Sequence, residues 1–290
     1  MPEKEARSII VSDAHIGASH RTVSAEASCS TRMFSREERE QIRAALVRAA
    51  QADSNVTGAA HLGSAAADRL DDWSDIDLAL CVSHDAAVDG VIAAWTARMY
   101  GDHEAIAHCD VRRGETLYRV FLLRNTLQVD LSFWPADRFS ATGPKFKLIF
   151  GNANETRLSA SDDAAELIGL AWLYGLHVRS SIARQRLFQA EYMLSNMRNR
   201  VIALACLREG LSTSEGRGFD DLSQDQKTRL AECYSSSLDP EELQRALQRT
   251  MHALVNEIRL RDSNLAEKIE STLVEIAGGD GPHGSATRAP

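Results

Sequence analysis

Three aspartates in two apolar segments are the residues best suited to chemistry. Asp75 and Asp77 lie in the segment "DIDLALCV", and Asp130 lies in "LQVDLSF". Alternate residues of a β-strand share a face, so Asp75 and Asp77 are presented together, and Asp130 lies on the polar face of its own strand. Adjacent carboxylates repel each other unless a cation lies between them, and Mg²⁺ prefers carboxylate and phosphate oxygens. The three acids therefore predict a site for two Mg²⁺ ions that bridge an attacking hydroxyl and a nucleotide phosphate.

A glycine and a serine shortly before the acid pair complete the motif. Gly63 and Ser64 follow the apolar run that ends at Leu62, in the order expected of a strand, a tight turn and a short helix. Glycine lets the backbone turn sharply and approach a ligand, and free N–H groups at the start of a helix attract anions. The turn is therefore predicted to receive the triphosphate of a nucleotide.

The elements that must position these residues form a small mixed α/β unit. Ser35 and Glu38 make a capping box that opens a helix reaching about Gln51. Period-two patterns and β-rich composition predict strands at 56–62 and 76–82, a helix near 87–99, and an antiparallel hairpin of "LYRVFLL" and "LQVDLSF" joined around Arg124 and Asn125.

From about Ser161 onward the pattern changes to helices alone. These are predicted at 163–178, 184–207, 223–233, 240–258 and 266–276. The fold class is therefore α+β, with a mixed-sheet domain followed by an all-α domain. The predicted boundaries are a disordered N-terminal extension at 1–32, the sheet domain at 33–155, the helical domain at 156–278 and a disordered Gly/Pro-rich tail at 279–290.

The Gly63-Ser64 turn, the Asp75-x-Asp77 pair and the later strand aspartate resemble the motif of the DNA polymerase β-type nucleotidyltransferase superfamily. A helical second half resembles, more weakly, the small-molecule members that act on aminoglycoside and lincosamide antibiotics. The resemblance implies that Asp75 and Asp77 bind magnesium. It also implies that Asp130 is the third acid, which binds a metal and accepts the proton of the attacking hydroxyl.

The helix predicted from Arg184 has one apolar and one polar face. Its apolar stripe consists of Leu187, Ala190, Leu194, Met197, Val201 and Leu204, which marks the buried side. Arg184 and Arg198 on the polar face are predicted to bind the nucleotide, because arginine forks suit phosphate. Glu191 and Tyr192 are predicted to contact the acceptor. A solvated helix face with internal ion pairs explains the same residues equally well.

Composition limits the partners. The 290 residues carry a formal net charge of −8, which disfavours a long nucleic acid as the main substrate. The five cysteines are scattered and never spaced as a metal or redox pair, so they are expected to be reduced. Neither a signal peptide nor a membrane span is indicated, and we expect a cytoplasmic protein without a membrane partner.

The sequence thus predicts an enzyme that moves a nucleoside monophosphate, AMP from ATP first of all, to a hydroxyl of a small molecule and releases pyrophosphate. A nucleotidyltransferase acting on tRNA or protein, and a nucleotide-binding pseudoenzyme, remain as alternatives. The nucleotide, the acceptor and the oligomeric state stay open, because fold alone does not fix function.

Overall fold

The computed structural model describes residues 10–11, 33–67, 70–141, 146–155 and 162–278. The chain divides into two compact units, Met1–Ser159 and Ala160–Pro290. A mixed sheet with helices forms the first unit and helices alone form the second, so the fold class is α+β as predicted. Apart from Ile10 and Val11, the predicted extension at 1–32 and tail at 279–290 lie outside the described residues.

The first unit is built on a seven-stranded sheet with the strand order β1-β4-β5-β6-β3-β2-β7. Its strands are β1 (Ile10–Val11), β2 (Val56–Leu62), β3 (Ile76–Val82), β4 (Ala105–Arg113), β5 (Thr116–Leu123), β6 (Gln128–Pro135) and β7 (Phe146–Phe150). β3 and β6 pair in parallel, whereas the other neighbours pair antiparallel. The predicted hairpin corresponds to β5 and β6.

The helices described in this unit are α1 (Arg36–Ala52), the single turn α2 (Gly63–Ala66) and α3 (Val88–Asp102). The capping box at Ser35 and Glu38 is present, which confirms the predicted start of α1. Leu46 of α1 and Trp95 of α3 are buried in one core with apolar residues of the central strands. That core covers one face of the sheet, so polar side chains of β3 and β6 face the other way.

Three strands were not predicted, namely β1, which lies in the segment expected to be a disordered extension, and β4 and β7, which share a reason. β4 ("AIAHCDVRR") contains four polar or charged residues without a clean alternation, and β7 is short and leaves its side chains at least partly exposed. Strands without a buried face give little periodic signal. Their pairing with better-defined neighbours, rather than their own composition, makes them strands.

The second unit consists of α4 (Ala164–Ala183), α5 (Leu187–Arg208), α6 (Gln224–Ala231), α7 (Pro240–Arg261) and α8 (Ser263–Ile276). The predicted apolar stripe of α5 is buried or packed against the core, which confirms that face. The predicted helix start at Arg184 is wrong. α4 runs on to Ala183 because Val178 and Ser181 continue its buried stripe, and Arg184 caps it in the turn before α5.

Two expectations from composition can be compared with the described residues. Cys81, Cys109, Cys206 and Cys233 are all free thiols, whereas Cys29 lies outside the described part of the chain. Across the same described ranges, none of the helices combines the length and the apolar character that crossing a bilayer requires.

Candidate active site

The parallel pairing of β3 with β6 brings the sequence-predicted acids together. In this register the Cα of Asp77 is the direct partner of the Cα of Asp130. Asp75 lies one residue before β3, at the same end of the sheet. Directly paired residues of neighbouring strands project to the same face. The structure therefore gathers Asp75, Asp77 and Asp130, from segments far apart in sequence, into one cluster.

Within this acid cluster, Asp130 is the residue whose charged form is most disfavoured. Its carboxylate is largely buried, and its Oδ1 is without a hydrogen-bond partner among the described residues. Burial, followed by the charges of Asp77 and Asp75, raises the pKa of Asp130 to about 7, and the charge of Arg113 acts in the opposite direction. Burial disfavours a carboxylate that has no compensating charge. A cation beside Asp130 would remove this penalty.

The backbone of the predicted turn passes close to the carboxylate of Asp77 at Gly63. Its φ of +57° lies in the left-handed region, and a Cβ at this position would stand 2.0 Å from Oδ2 of Asp77. Any side chain would displace the carboxylate as well as strain the backbone. Ser64 follows in α2, which is only one turn long, so anion binding here would depend on local N–H groups rather than on a helix dipole.

The loop that carries Asp75 is held by hydrogen bonds from Arg39 of α1. Arg39 is almost fully buried, and its Nη1 donates to the backbone carbonyls of Asp71 and Ser74. Asp71 accepts hydrogen bonds from Trp73 N and Ser74 Oγ, both at 2.9 Å, which closes a tight turn. These contacts hold the backbone on the N-terminal side of Asp75.

Sequence reasoning missed three residues at this site. Gln128 Nε2 donates to Oδ2 of Asp75 at 3.1 Å, and its place on the same face of β6 as Asp130 was a usable signal. Arg39 lies seven residues before Leu46 on the buried stripe of α1, where a charged residue is conspicuous. Arg113 acts on the pKa of Asp130 and stacks over the Tyr118 ring at 5.5 Å, but it ends a strand that was not predicted.

The donor set matches a hard divalent cation. It consists of carboxylate oxygens, one of them buried and unpartnered, which is the type of ligand that Mg²⁺ prefers. Within the described ranges, the side chains as placed do not include a group of three acids, histidines or cysteines already arranged around an ion position. The fit therefore rests on the chemistry and charge of the acids, and closure on an ion would require their side chains to rotate.

The residues predicted on α5 have other partners within the helical unit. Arg198 is buried rather than exposed on a polar face. It stacks 4.0 Å over the ring of Tyr234, and its Nη2 donates to Ser195 Oγ at 2.9 Å. Glu191 accepts hydrogen bonds from Ser195 Oγ and Ser235 Oγ.

The two remaining predicted residues of this unit are exposed. Arg184 lies in the turn after α4, and the side chain of Tyr192 is 66% exposed. The nucleotide-binding role of Arg184 and Arg198, and the acceptor-binding role of Glu191 and Tyr192, stay predictions.

His103, His108 and Asp110 also stand close together in sequence, but their contacts are structural. Both carboxylate oxygens of Asp110 accept from Arg119 at 2.6 Å, and His108 Nδ1 is 2.9 Å from the hydroxyl of Tyr100. A bidentate pair satisfies the carboxylate fully. The acid cluster is therefore the better candidate for chemistry in this unit.

Comparison with protein-family models and with curated proteins finds no match. Among solved structures, the chain is similar to an aminoglycoside 6-adenyltransferase from Bacillus subtilis. The identity is 15% and the TM-score 0.37, over 83% of this chain and 98% of that chain. A likeness at this level carries no argument about function, so a functional assignment for this chain depends on the residues of the acid cluster.

Proposed function

We propose that the chain is a magnesium-dependent nucleotidyltransferase that moves a nucleoside monophosphate from a nucleoside triphosphate to a hydroxyl group. The observation that carries the proposal is the parallel pairing of β3 and β6, which sets Asp77 beside Asp130, whose Oδ1 has no hydrogen-bond partner in the described part of the chain. Like charges on one sheet face oppose folding, and even with Arg113 nearby the pKa of Asp130 is raised to about 7. Such an arrangement is typical of a site that works with a bound cation.

Asp75, Asp77 and Asp130 would hold the metal, with Gln128 orienting the carboxylate of Asp75. Two bound Mg²⁺ ions would supply charge neutralisation on the triphosphate and activation of the attacking oxygen. Gly63 allows the backbone of the turn to come close to the phosphates, and Ser64 follows it there. Arg39 holds the loop in place by its bonds to two carbonyls, as a positioning residue.

The proposed reaction is an in-line displacement at the α-phosphorus. The hydroxyl oxygen of the acceptor forms a bond to the α-phosphorus, and the bond from that phosphorus to the α,β-bridging oxygen breaks. Pyrophosphate leaves with the bond electrons, and Asp130 accepts the hydroxyl proton. This role falls to Asp130 because it lies on the side of the cluster away from the Gly63 turn, across β3.

We propose ATP as the nucleotide and a small molecule as the acceptor, with aminoglycoside and lincosamide antibiotics as the first classes to test. The net charge of −8 supports a small acceptor over a long nucleic acid. Arg184 and Arg198 for the nucleotide, and Glu191 and Tyr192 for the acceptor, belong to the same proposal. The cytoplasmic location stays a prediction.

The proposal is tested by measuring pyrophosphate release. The purified chain is incubated with Mg²⁺, each of the four nucleoside triphosphates, and a panel of aminoglycosides, lincosamides and tRNA. We expect release that requires both the metal and one acceptor, and none in Asp75→Asn or Asp77→Asn. Asp130→Asn is expected to reduce kcat more than it weakens binding of the nucleotide.

The matched control is Asp72→Asn in the same loop, because the Asp72 carboxylate is exposed and paired with Arg36. It should retain activity, and circular dichroism should show all four proteins folded. Full activity in Asp75→Asn or Asp77→Asn would refute the metal assignment. Binding of Mg²⁺-ATP without release of pyrophosphate for any acceptor would instead favour a nucleotide-binding protein without turnover.

A further inference from the structure

A shallow apolar cavity lies beside the acid cluster on the first unit. Its volume is about 220 Å³, and it is lined mainly by Ala107 and Cys109 of β4, Val120 and Leu122 of β5, and Gln128 of β6. We refer to these five residues as the apolar shelf. Leu122 is 44% exposed although its neighbours Phe121 and Leu123 are buried on the other face of the sheet.

The register places the apolar shelf on the same face as the acids. Val120 is the Cα partner of Asp130, and Leu122 is the partner of Gln128. Cys109 and Ala107 are in turn the partners of Val120 and Leu122. Directly paired residues share a face, so the shelf continues the surface that carries Asp130. Gln128 links the two regions directly, since it lines the shelf and donates to Asp75.

Strand order separates the shelf from the Gly63 turn. The turn follows β2, which lies on one side of β3, whereas β5 and β4 lie beyond β6 on the other side. In an in-line displacement, the attacking oxygen and the leaving pyrophosphate stand on opposite sides of the α-phosphorus. A triphosphate that enters over the Gly63 turn would therefore receive its nucleophile from the side of the shelf.

The lining of the shelf defines the kind of molecule that it suits. Its five residues contain no carboxylate and no cation, and Gln128 supplies an amide at the edge nearest the acids. His108 also borders the cavity, but its ring contacts Tyr100 and Phe121 on the other face of the sheet. The shelf itself offers a polycation no counter-charge, and the acids beside it are those proposed to hold the metal, whereas a ring or alkyl face would be desolvated on the shelf.

We propose that the apolar shelf is the acceptor subsite, and that it binds an uncharged apolar face of the acceptor next to the hydroxyl that attacks. This inference rests on the proposed function, and it narrows the acceptor to molecules that carry a hydroxyl beside a ring or alkyl surface. It disfavours acceptors whose reacting hydroxyl is surrounded by ammonium groups. Leu122 is then a residue that determines specificity.

The test uses phenyl β-D-glucoside as the probe, with kanamycin as the polycationic comparison. Saturation-transfer difference NMR is recorded on the full chain with Mg²⁺ and α,β-methylene-ATP. We expect transfer to be strongest on the phenyl protons and stronger than any transfer to kanamycin. Leu122→Lys should weaken binding of the glucoside about tenfold, which corresponds to losing contact with one leucine side chain.

Ile106→Lys is the matched control, since Ile106 is a similarly exposed aliphatic residue on β4 that does not line the cavity. Leu122→Ser repeats the test in case lysine disturbs the sheet. Absence of transfer to the glucoside in the unaltered chain would overturn the inference, as would equal weakening in the Leu122 and Ile106 variants.

Thermal stabilisation by Mg²⁺ and α,β-methylene-ATP is measured on the same samples and reports on the proposed function separately. If the nucleotide stabilises the chain but the glucoside does not bind, the acceptor subsite is wrong and the nucleotidyltransferase proposal stands. If the glucoside binds but the nucleotide does not stabilise the chain, the nucleotidyltransferase proposal fails, and with it the acceptor role of the shelf.

Discussion

Asp130 in the acid cluster of the sheet unit and Arg198 in the helical unit are both largely buried ionisable residues, but their surroundings differ. Asp130 shares its face with Asp77 and Asp75, and its Oδ1 has no hydrogen-bond partner among the described residues. Arg198 is also buried, and its Nε and Nη1 lack hydrogen-bond partners among the described residues, but its guanidinium lies 4.0 Å over the ring of Tyr234 and its Nη2 donates to Ser195 Oγ. The carboxylate of Glu191 stands 3.9 Å away from its Nη1.

The two regions differ in the charges that surround the buried group, like charges around Asp130 and an opposite charge beside Arg198. Arg198 has the opposite charge of Glu191 at 3.9 Å and an aromatic face within its own unit, so its charge is partly compensated by its neighbours. The acid cluster places like charges together, and the charge of Arg113 lowers the pKa of Asp130 by less than burial and the two other acids raise it. Under the proposed function, a bound cation compensates the remainder. A group of like charges that costs stability is expected at a functional site. A buried charge with an opposite charge beside it can be purely structural.

Neutralising an acid of the cluster should have the largest effect. It should lower the rate of pyrophosphate release, whereas removing the charge of Asp130 should raise the free energy of unfolding. Asp77→Asn should reduce pyrophosphate release by about a hundredfold or more, because metal coordination is worth several kcal/mol to the transition state. Asp130→Asn should raise the free energy of unfolding by about 1 kcal/mol at pH 8 without metal, since it removes a disfavoured buried charge.

Urea unfolding with EDTA and with excess Mg²⁺ measures this second effect. The metal should stabilise the unaltered chain and should stabilise Asp130→Asn less. If Asp130→Asn destabilised the metal-free chain, the contrast between the two regions would be wrong.

Removing the side chain of Arg198 should change the free energy of unfolding in the direction opposite to that of Asp130→Asn. Arg198→Ala is expected to lower the free energy of unfolding by about 2 kcal/mol, because it leaves Glu191 without its cation and removes the stacking on Tyr234. The same urea experiment measures it, and Arg184→Ala serves as the exposed control with a change near zero. An Arg198→Ala chain as stable as the unaltered one would show that the group is not structural.

Gly63→Ala tests how tightly the turn and Asp77 are coupled. We expect a loss of about 1 to 3 kcal/mol in the free energy of unfolding, because a side chain at a φ of +57° is strained and its Cβ would collide with the carboxylate of Asp77. Gly114→Ala is a matched control, since its φ is +58° and a Cβ there would meet open space. Equal losses in both variants would mean that backbone strain alone explains the effect.

The smallest effect is expected from a partly exposed ion pair in the helical unit, Glu242 with Arg245. Hydrogen bonds from Arg245, and then from Ser236, lower the pKa of Glu242 to about 2. A carboxyl group whose pKa is depressed on folding contributes stability above its unfolded pKa and loses that contribution as the pH falls through the folded value. The stability difference between the unaltered chain and Glu242→Gln should therefore shrink between pH 4.5 and pH 2.

Thermal unfolding scans of both proteins across this range measure the difference. Since the pair lies at the surface and is only partly buried, the effect should also weaken in high salt. A difference that grew on acidification would contradict the sign.

Sequence patterns predicted the helices and strands that have a continuous buried face. The bounds of β2 and β3 agree with the predicted segments, and the capping box placed the start of α1 at the correct residue. β4 and β7 escaped prediction, because the sequence of a strand with partly exposed faces lacks a strict period. α4 was predicted too short, since a serine on its buried stripe hid the continuation.

The sequence by itself determined which residue types could bind a metal and that Asp75 and Asp77 share a face, because neighbours on one strand are related by local geometry. Only the tertiary structure decided that Asp130 is the strand partner of Asp77, that Gly63 must lack a side chain to leave room for Asp77, and that Arg198 is buried. These relations depend on contacts between distant segments. No local periodicity encodes them, and they turn a short motif into a charged site with an apolar shelf beside it.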